Sequence, residues 1–308
     1  MLAEARQFFA ARNVLEIETP VLCSPGITDP HIENIGVEMH DGMRWLRTSP
    51  EYHMKRLLAA GSGDIYQIAK VFRGGESGRL HQPEFTMIEW YRHDFDLKAI
   101  AQETCELIMT LSNQASHPVS ATEHISYQDA FLRASGVDPF TASAQELCEA
   151  TLRFSPTFDQ AGEQKADSIQ DRRIWIDLLA GTTVYPSLTG NKLWVIDRFP
   201  ADQAMLARLD PDDSRVAERF EVILDGVELA NGFRELRDPA EQAERFAQDS
   251  KRRAQDGAQE MLPDSKLLAA LEAGLPDCAG VAVGLDRLVL ATNRLPELAA
   301  TISFIPGR

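Results

Sequence analysis

The stretch from Val71 to Tyr91, VFRGGESGRLHQPEFTMIEWY, constrains what this chain can fold into more than any other. Two apolar segments flank a polar, glycine-rich loop, so the backbone is predicted to leave and return as a long antiparallel hairpin. Arg73 stands at the loop's entrance, and Arg79 and His81 stand near its exit. On the returning strand, period-two alternation puts Phe85, Met87, Glu89 and Tyr91 on one face and Glu84, Thr86, Ile88 and Trp90 on the other. A carboxylate and a phenol then lie beside an aromatic ring. Such a face suits a flat ring against Phe85 and an ammonium group between Glu89 and Tyr91, with the arginines as bidentate partners for phosphate oxygens. An ordinary half-buried hairpin satisfies the same alternation, so the pattern alone does not choose.

A chain of 308 residues leaves room for two domains or for one large mixed sheet. Hydrophobic residues make up 44%, enough for a sizeable core. No apolar run approaches the roughly 20 residues that span a bilayer, and MLAEARQFFAARN lacks the layout of a signal peptide. A soluble, cytoplasmic protein with no membrane partner is expected. The four cysteines, Cys23, Cys105, Cys148 and Cys278, form no CxxC pair, which argues against a disulfide framework and a zinc site. A net charge of -16 opposes broad contact with a phosphate backbone, so stable tRNA binding is not expected.

Along the chain, Leu2 to Arg12 has apolar residues at helical spacing, and Val14 to Glu18 reads as a strand stopped by Pro20. Val21 to Gly42, rich in Pro, Gly and Asp, reads as a loop. Trp45 to Thr48 is a short strand, and Ser49-Pro50-Glu51 starts a helix reaching about Ala60, with Ser49 as cap and Glu51 in its first turn. Helices follow from Asp96 to Ser112 and from Ser126 to Ala134. The stretch from Ser135 to Leu193 is the least patterned and reads as an insertion, with helical pieces at Ala144 to Leu152 and Asp171 to Ala180. Arg219 to Leu224 and Val227 to Phe233 are joined by Asp225-Gly226, a two-residue hairpin signal. In that register Glu221 and Glu228 share a face, and two carboxylates so placed need a cation between them, which magnesium with nucleotide phosphates would supply. Pro239 to Gln255 reads as a charged helix whose Lys251-Arg252-Arg253 run is surface decoration.

Several phrases carry a resemblance beyond pattern: TSPEYHMKRLL, HQPEFTMIEWY, RVAERFEVILDGVELANGF and GVAVGLDRLVL. The hairpin resembles motif 2 of the class II aminoacyl-tRNA synthetases in its lysine-specific form. The segment from Leu2 to Pro20 and the GVAVGLDRLVL phrase are similar to motifs 1 and 3. The resemblance is strongest to the free-standing paralogues of lysyl-tRNA synthetase that ligate (R)-beta-lysine to elongation factor P, and it runs from about Leu2 to about Phe304. It implies an α+β fold, the class II core with a mainly antiparallel sheet flanked by helices, as a single catalytic domain over residues 1–308 forming a homodimer. It also implies ATP and Mg2+ as cofactors, an aminoacyl-adenylate product, and elongation factor P as acceptor. Motif 1 begins almost at Met1, so no anticodon-binding domain is expected, which favours the protein acceptor over tRNA. Ser49 and Ala282 stand where lysyl-tRNA synthetases would be expected to have Ala and Gly.

Residue by residue, the resemblance implies that Arg73 holds the alpha-phosphate and the substrate carboxylate, Phe85 stacks on adenine, and His81 lies over the phosphates. Glu221 and Glu228 hold magnesium, Glu228 also facing the nucleotide. Arg287 meets the gamma-phosphate, beside Gly284 where the backbone approaches the ligand. Asn231 and Glu51 hold the head of the amino acid, while Glu89, Tyr91 and Glu235 hold its side-chain ammonium and Phe233 lines the pocket. Placing Glu228, Asn231, Phe233 and Glu235 in one site requires a bulge after Glu228. The phrase Arg73-Gly74-Gly75-Glu76 departs from the family's Arg-x-Glu, whose glutamate faces the nucleotide and the amine; Gly75 takes the glutamate's place. Either Glu76 reaches in, or water replaces the carboxylate and ATP binds more weakly. A minimal enzyme charging tRNA or another carrier, and a catalytically weakened binding module, are the competing functional readings.

Overall fold

The computed structural model describes residues 1–154 and 172–304; part of the least patterned stretch, 155–171, lies outside the described residues. In chain order the first elements are α1 (Leu2–Ala10), β1 (Leu15–Glu16), β2 (Leu22–Cys23), β3 (Gly36–Met39), β4 (Gly42–Leu46), α2 (Glu51–Ala59), β5 (Ile65–Phe72), β6 (Glu84–His93) and α3 (Leu97–Ser112). Then come β7 (Thr122–Ser126), α4 (Tyr127–Ser135), α5 (Ala144–Phe154), α6 (Arg172–Leu179), β8 (Leu193–Pro200), β9 (Val216–Leu224) and β10 (Val227–Arg234). The chain ends with α7 (Pro239–Gln255), α8 (Ser265–Gly274), β11 (Cys278–Gly284) and α9 (Leu285–Asn293). Two compact units result, one of Met1–Pro118 with Gly232–Arg308 and one of Val119–Asn231. The segment read as an insertion falls inside the second unit, whose bounds are wider.

In the first unit the strand order is β1-β5-β6-β11. The predicted hairpin is present: β5 and β6 are antiparallel with Val71 opposite Phe85 and Ile65 opposite Tyr91. Strand β6 also pairs antiparallel with β11, and the short β1 adds to β5 in parallel. Behind this sheet Phe9 of α1 stacks on Tyr66 at 4.2 Å and meets Trp90 edge-on at 5.3 Å. Phe9, Ile65, Ile88 and Trp90 are fully buried, each contributing about 1.5–3 kcal/mol by removal from water. Helix α2 starts at Glu51 as expected, but its N-cap residue is Pro50 rather than Ser49; Ser49 Oγ, one residue before, accepts from Glu51 N at 2.9 Å. Asp96 caps α3 by accepting from Ala99 N at 2.7 Å.

Two expectations are corrected here. The segment from Val21 to Gly42 is not only loop: β2 and β3 flank β4 in a separate small sheet of order β2-β4-β3. Arg253 is no surface decoration. It is 3% exposed and donates to the carbonyls of Gln259, Asp29 and Ile32 at 2.9, 2.7 and 2.9 Å. Those bonds anchor the connection between β2 and β3, which Asn34 also fastens by pairing with both backbone groups of Ile27. A charged run hides such a residue because its polarity matches a solvated face, while only tertiary packing decides which member turns inward.

The second unit has the order β10-β9-β8-β7. Strands β8 and β9 are antiparallel with a register shift near Asp197, and β7 joins β8 in parallel. Asp225 and Gly226 take positive φ of 46° and 83°, the geometry a two-residue hairpin turn requires. Helices α4 to α6 close one core around Tyr127, Phe131, Trp175, Ile196 and Phe199. Within each unit the strands are mixed and mainly antiparallel, as expected, with one parallel pairing in each, β1/β5 in the first and β7/β8 in the second. Among the described residues no helix is long and apolar enough to cross a membrane.

Candidate active site

The first group of predicted site residues converges behind the hairpin in the first unit. Glu89 and Tyr91 are 3% and 2% exposed. Tyr91 donates to one Glu89 oxygen at 2.7 Å, and Ser49 donates to the other at 2.7 Å. Both bonds fit the alternation read from the sequence, since Glu89 and Tyr91 are two residues apart on one strand face. Opposite them, β11 brings Gly280 into register with Tyr91 and Ala282 into register with Glu89. A Cβ at Gly280 would lie 2.3 Å from the Tyr91 ring and 2.6 Å from Glu235 Oε1. Here the motif 3 glycine makes room for two pocket residues.

A residue that the sequence reading passed over sits at the centre. Lys55 is 1% exposed, and its ammonium lies 2.7 Å from Glu51 and 2.6 Å from Glu235. The clue was present: Glu51 and Lys55 are four apart on α2, the spacing at which a carboxylate and an ammonium pair on one helix face. Burial disfavours charge on Lys55, but Glu235 and Glu51 outweigh it and hold its pKa above the ordinary lysine value. The carboxyls move the other way. Burial, with the charge of Glu51 added, pushes Glu89 up to about 8 despite the hydrogen bonds from Ser49 and Tyr91. Burial raises Glu235 to about 7 against the pull of Lys55. Three carboxyls and one ammonium leave this pocket two negative charges in excess when all are ionised. Two cationic groups on one ligand would balance it. Beside Ser49 and Glu51 a cleft opens, lined also by Arg47, His53 and Asp264.

The second group gathers at the hairpin loop. The guanidinium of Arg73 lies over the Phe85 ring at 5.2 Å and 3.8 Å from Glu76, and its Nε has no hydrogen-bond partner among the described residues. An arginine with an unused donor, beside an aromatic face, fits a phosphorylated planar ligand. Arg287, in the first turn of α9, donates to His81 Nε2 at 2.7 Å and to the Leu80 carbonyl at 3.2 Å. Its neighbour Asp286 accepts from Thr86 N at 2.6 Å. These bonds tie motif 3 to the loop exit, so the two residues expected at the phosphates are brought together. Gly284 has only the Arg287 side chain near it, 3.8 Å away at the closest. Phe85 packs with Ala69, Val71, Met87 and Ala282, which links this group to the carboxylate pocket.

The third group belongs to the second unit. Glu221 is 4% exposed and receives Arg219 Nη2 together with the Tyr185 hydroxyl at 2.5 Å. Arg219 Nε also donates to Asn231 Oδ1 at 3.2 Å. Burial, with Glu228 adding its charge and Arg219 opposing, raises Glu221 to about 7. A cation beside Glu221 is thus already present as Arg219, a role the sequence analysis did not give it. Among the described residues no group of three or more His, Cys, Asp or Glu is arranged for a metal ion. A pair of carboxylates still fits magnesium, which commonly takes one or two from protein and the rest from phosphate and water. Along β10 the less buried side chains are Glu228, Asn231 and Arg234, a spacing of three that departs from strict alternation. Phe233, which belongs to the first unit, is 8% exposed and stands two positions before Glu235.

Comparison with known proteins adds the following. The family model for class II tRNA synthetases (D, K and N) matches residues 1–306. The protein called elongation factor P--(R)-beta-lysine ligase in Yersinia pestis (strain Pestoides F) is 44% identical over 310 residues, covering 99% of this chain and 92% of the relative. The protein of the same description in Yersinia pseudotuberculosis serotype O:1b (strain IP 31758) matches at the same identity and coverage.

Lys55→Met leaves Glu51 and Glu235 without their cation, and a loss of about 3 kcal/mol in unfolding free energy at pH 7 is expected from urea denaturation. A pH dependence follows from the raised carboxyls. Their protons are held more tightly in the folded state, so the stabilisation is full below the unfolded value near 4.5 and is lost as pH rises through about 7 for Glu235 and about 8 for Glu89. Thermal melts of the ligand-free protein are expected to fall between pH 5 and pH 8.5, and Glu89→Gln is expected to flatten that fall.

Proposed function

The chain belongs to the class II tRNA synthetases of the D, K and N group, and from that membership we propose that it is an ATP-dependent ligase that activates (R)-beta-lysine and joins it to a lysine side chain of elongation factor P. The observation that carries the substrate class is the buried pocket of Glu51, Glu89 and Glu235 around Lys55. An amino acid with a second amine brings two ammonium groups, matching the two unbalanced charges; one with an uncharged side chain leaves a buried carboxylate unpaired. The acceptor is supported by the description of the relatives and by the chain's acidic balance.

Activation joins a substrate carboxylate oxygen to the alpha-phosphorus of ATP and releases pyrophosphate; attack of the acceptor amine on the acyl carbon then releases AMP. Little covalent chemistry is asked of the protein, which positions the reactants and stabilises developing charge. Arg73 bridges the substrate carboxylate and the alpha-phosphate, Phe85 supports the adenine ring, and Glu76 belongs to the same nucleotide loop. His81 and Arg287 meet the outer phosphates, with Gly284 admitting the nucleotide. Ser49 and Tyr91 hold Glu89 in the orientation that receives the side-chain ammonium, Glu51 and Asn231 take the other amine, and Phe233 and Ala282 complete the pocket wall. Glu221 and Glu228 would hold magnesium, which would neutralise phosphate charge. The protein acts in the cytoplasm.

Pyrophosphate exchange is expected with (R)-beta-lysine and with lysine, and incubation with elongation factor P is expected to add one aminoacyl mass to the acceptor, tRNA being charged far more slowly. Glu89→Gln is expected to reduce the exchange by about 3 kcal/mol, roughly a hundredfold. Exchange at wild-type efficiency in that variant would remove Glu89 from the pocket assignment.

The same reading includes a homodimer built on the region from Leu2 to Pro20. In that region Leu2 and Leu15 are 46% and 56% exposed, and Val21 and Leu22 follow at 40% and 41%. Exposed apolar side chains in this segment support an interface there. Light scattering at micromolar concentration is expected to give twice the chain mass; a monomer would refute the assignment.

A further inference from the structure

The glycine pair in the nucleotide loop has an occupant. Glu33 lies in the connection between β2 and β3, and its carbonyl accepts from Gly74 N at 2.8 Å in an isolated antiparallel bridge. Its side chain runs along the loop. A Cβ built on Gly74 would stand 2.9 Å from Glu33 Cγ, and one built on Gly75 would stand 2.6 Å from Glu33 Oε2. Gly75 also has φ of +68°, a conformation that L side chains rarely adopt. A side chain at position 75 would start where the end of the Glu33 side chain now lies, which would have to swing aside, and it would be strained by the positive φ as well.

This placement is built into the fold. Arg253, buried, clamps the carbonyls of Asp29 and Ile32 just ahead of Glu33, and Asn34 just behind it is fastened to Ile27. No described residue pairs with the Glu33 carboxylate itself, although the neighbouring Glu76 turns to Arg73. A carboxylate held by its backbone against a loop, with no protein partner for its oxygens, is free to accept from a ligand.

We propose that Glu33 is a ligand-binding residue of the nucleotide loop, supplying from a separate segment the carboxylate that position 75 lacks and accepting from an amino group of the bound reactants. The proposal rests on the ligase reading above. Two donors share this chemistry, the exocyclic amine of adenine and the amine of the amino acid. Hydrogen bonding to either is lost when the carboxylate is removed, and the loop is otherwise unaltered.

The test measures binding rather than turnover. Equilibrium titration of wild type, Glu33→Gln and Glu33→Ala with ATP alone, and separately with lysine alone, is expected to show about tenfold weaker binding of at least one ligand in Glu33→Ala. The affected titration identifies the donor: ATP if it is adenine, lysine if it is the substrate amine. Gly75→Glu alone is expected to bind that ligand more weakly than wild type, because two carboxylates compete for one space. If Glu33→Ala and Glu33→Gln bind both ligands within twofold of wild type, the proposal is overturned. Absence of lysine-dependent exchange in the wild type, with the binding differences intact, would count against the ligase reading and leave the role of Glu33 standing.

Discussion

The ammonium of Lys55 lies within 2.7 Å of both Glu51 and Glu235, and much of the first unit serves to keep that charge where it is. Burying an ammonium is tolerated only when carboxylates surround it closely, and burying carboxylates is tolerated only when cations or donors reach them. Helix α2 brings Glu51 and Lys55 one turn apart, β10 ends so that Glu235 faces them, and β11 must pass close enough that Gly280 alone fits. Ser49 and Tyr91 then satisfy Glu89, the carboxyl farthest from that ammonium's influence. The cluster is self-consistent yet short of positive charge. Its excess is what makes it selective, because a ligand that lacks either ammonium leaves a raised carboxyl to be neutralised by a proton instead.

The second unit meets a similar demand by a different route. Glu221 is buried at the turn-bearing hairpin, and Arg219 from the same strand neutralises it while also holding Asn231. Two residues apart on one strand, arginine and glutamate share a face, so the pair forms with no help from a distant segment. A metal ion is therefore not required for the folded unit to tolerate these carboxylates. The pair instead sets a threshold that a cation with phosphate ligands must exceed.

How much of this could be read in advance depended on whether the information was local. The hairpin from Val71 to Tyr91, the start of α2 at Glu51, the Asp225-Gly226 turn and the extent of α7 follow from periodicity and turn chemistry, which act over a few residues, and each is present. The synthetase resemblance then supplied the order of motifs. What was not legible was every pairing made across long separations. Lys55 reads as one member of an ordinary helical charge pattern until Glu235 arrives from 180 positions later. Arg253 reads as solvated until its carbonyl partners at Asp29 and Ile32 are known. The strands β2 and β3 were hidden by their Pro, Gly and Asp content, since short edge strands need little propensity when β4 lies between them as a template.

Glu33 and the glycines at 74 and 75 belong to that illegible class, and their arrangement has an evolutionary consequence. A carboxylate attached at position 75 and one arriving from position 33 crowd the same space, and the positive φ of Gly75 adds strain to any side chain placed there. Any path between them passes through a chain with both groups crowded into the loop or with neither. Substitutions at these positions should therefore be historically contingent: whether glycine at 75 is permissive or damaging depends on which residue stood at 33 beforehand. Among related sequences the two sites should drift as a unit, and a reader of motif 2 in isolation would score as degenerate a loop whose missing part has only moved elsewhere along the chain.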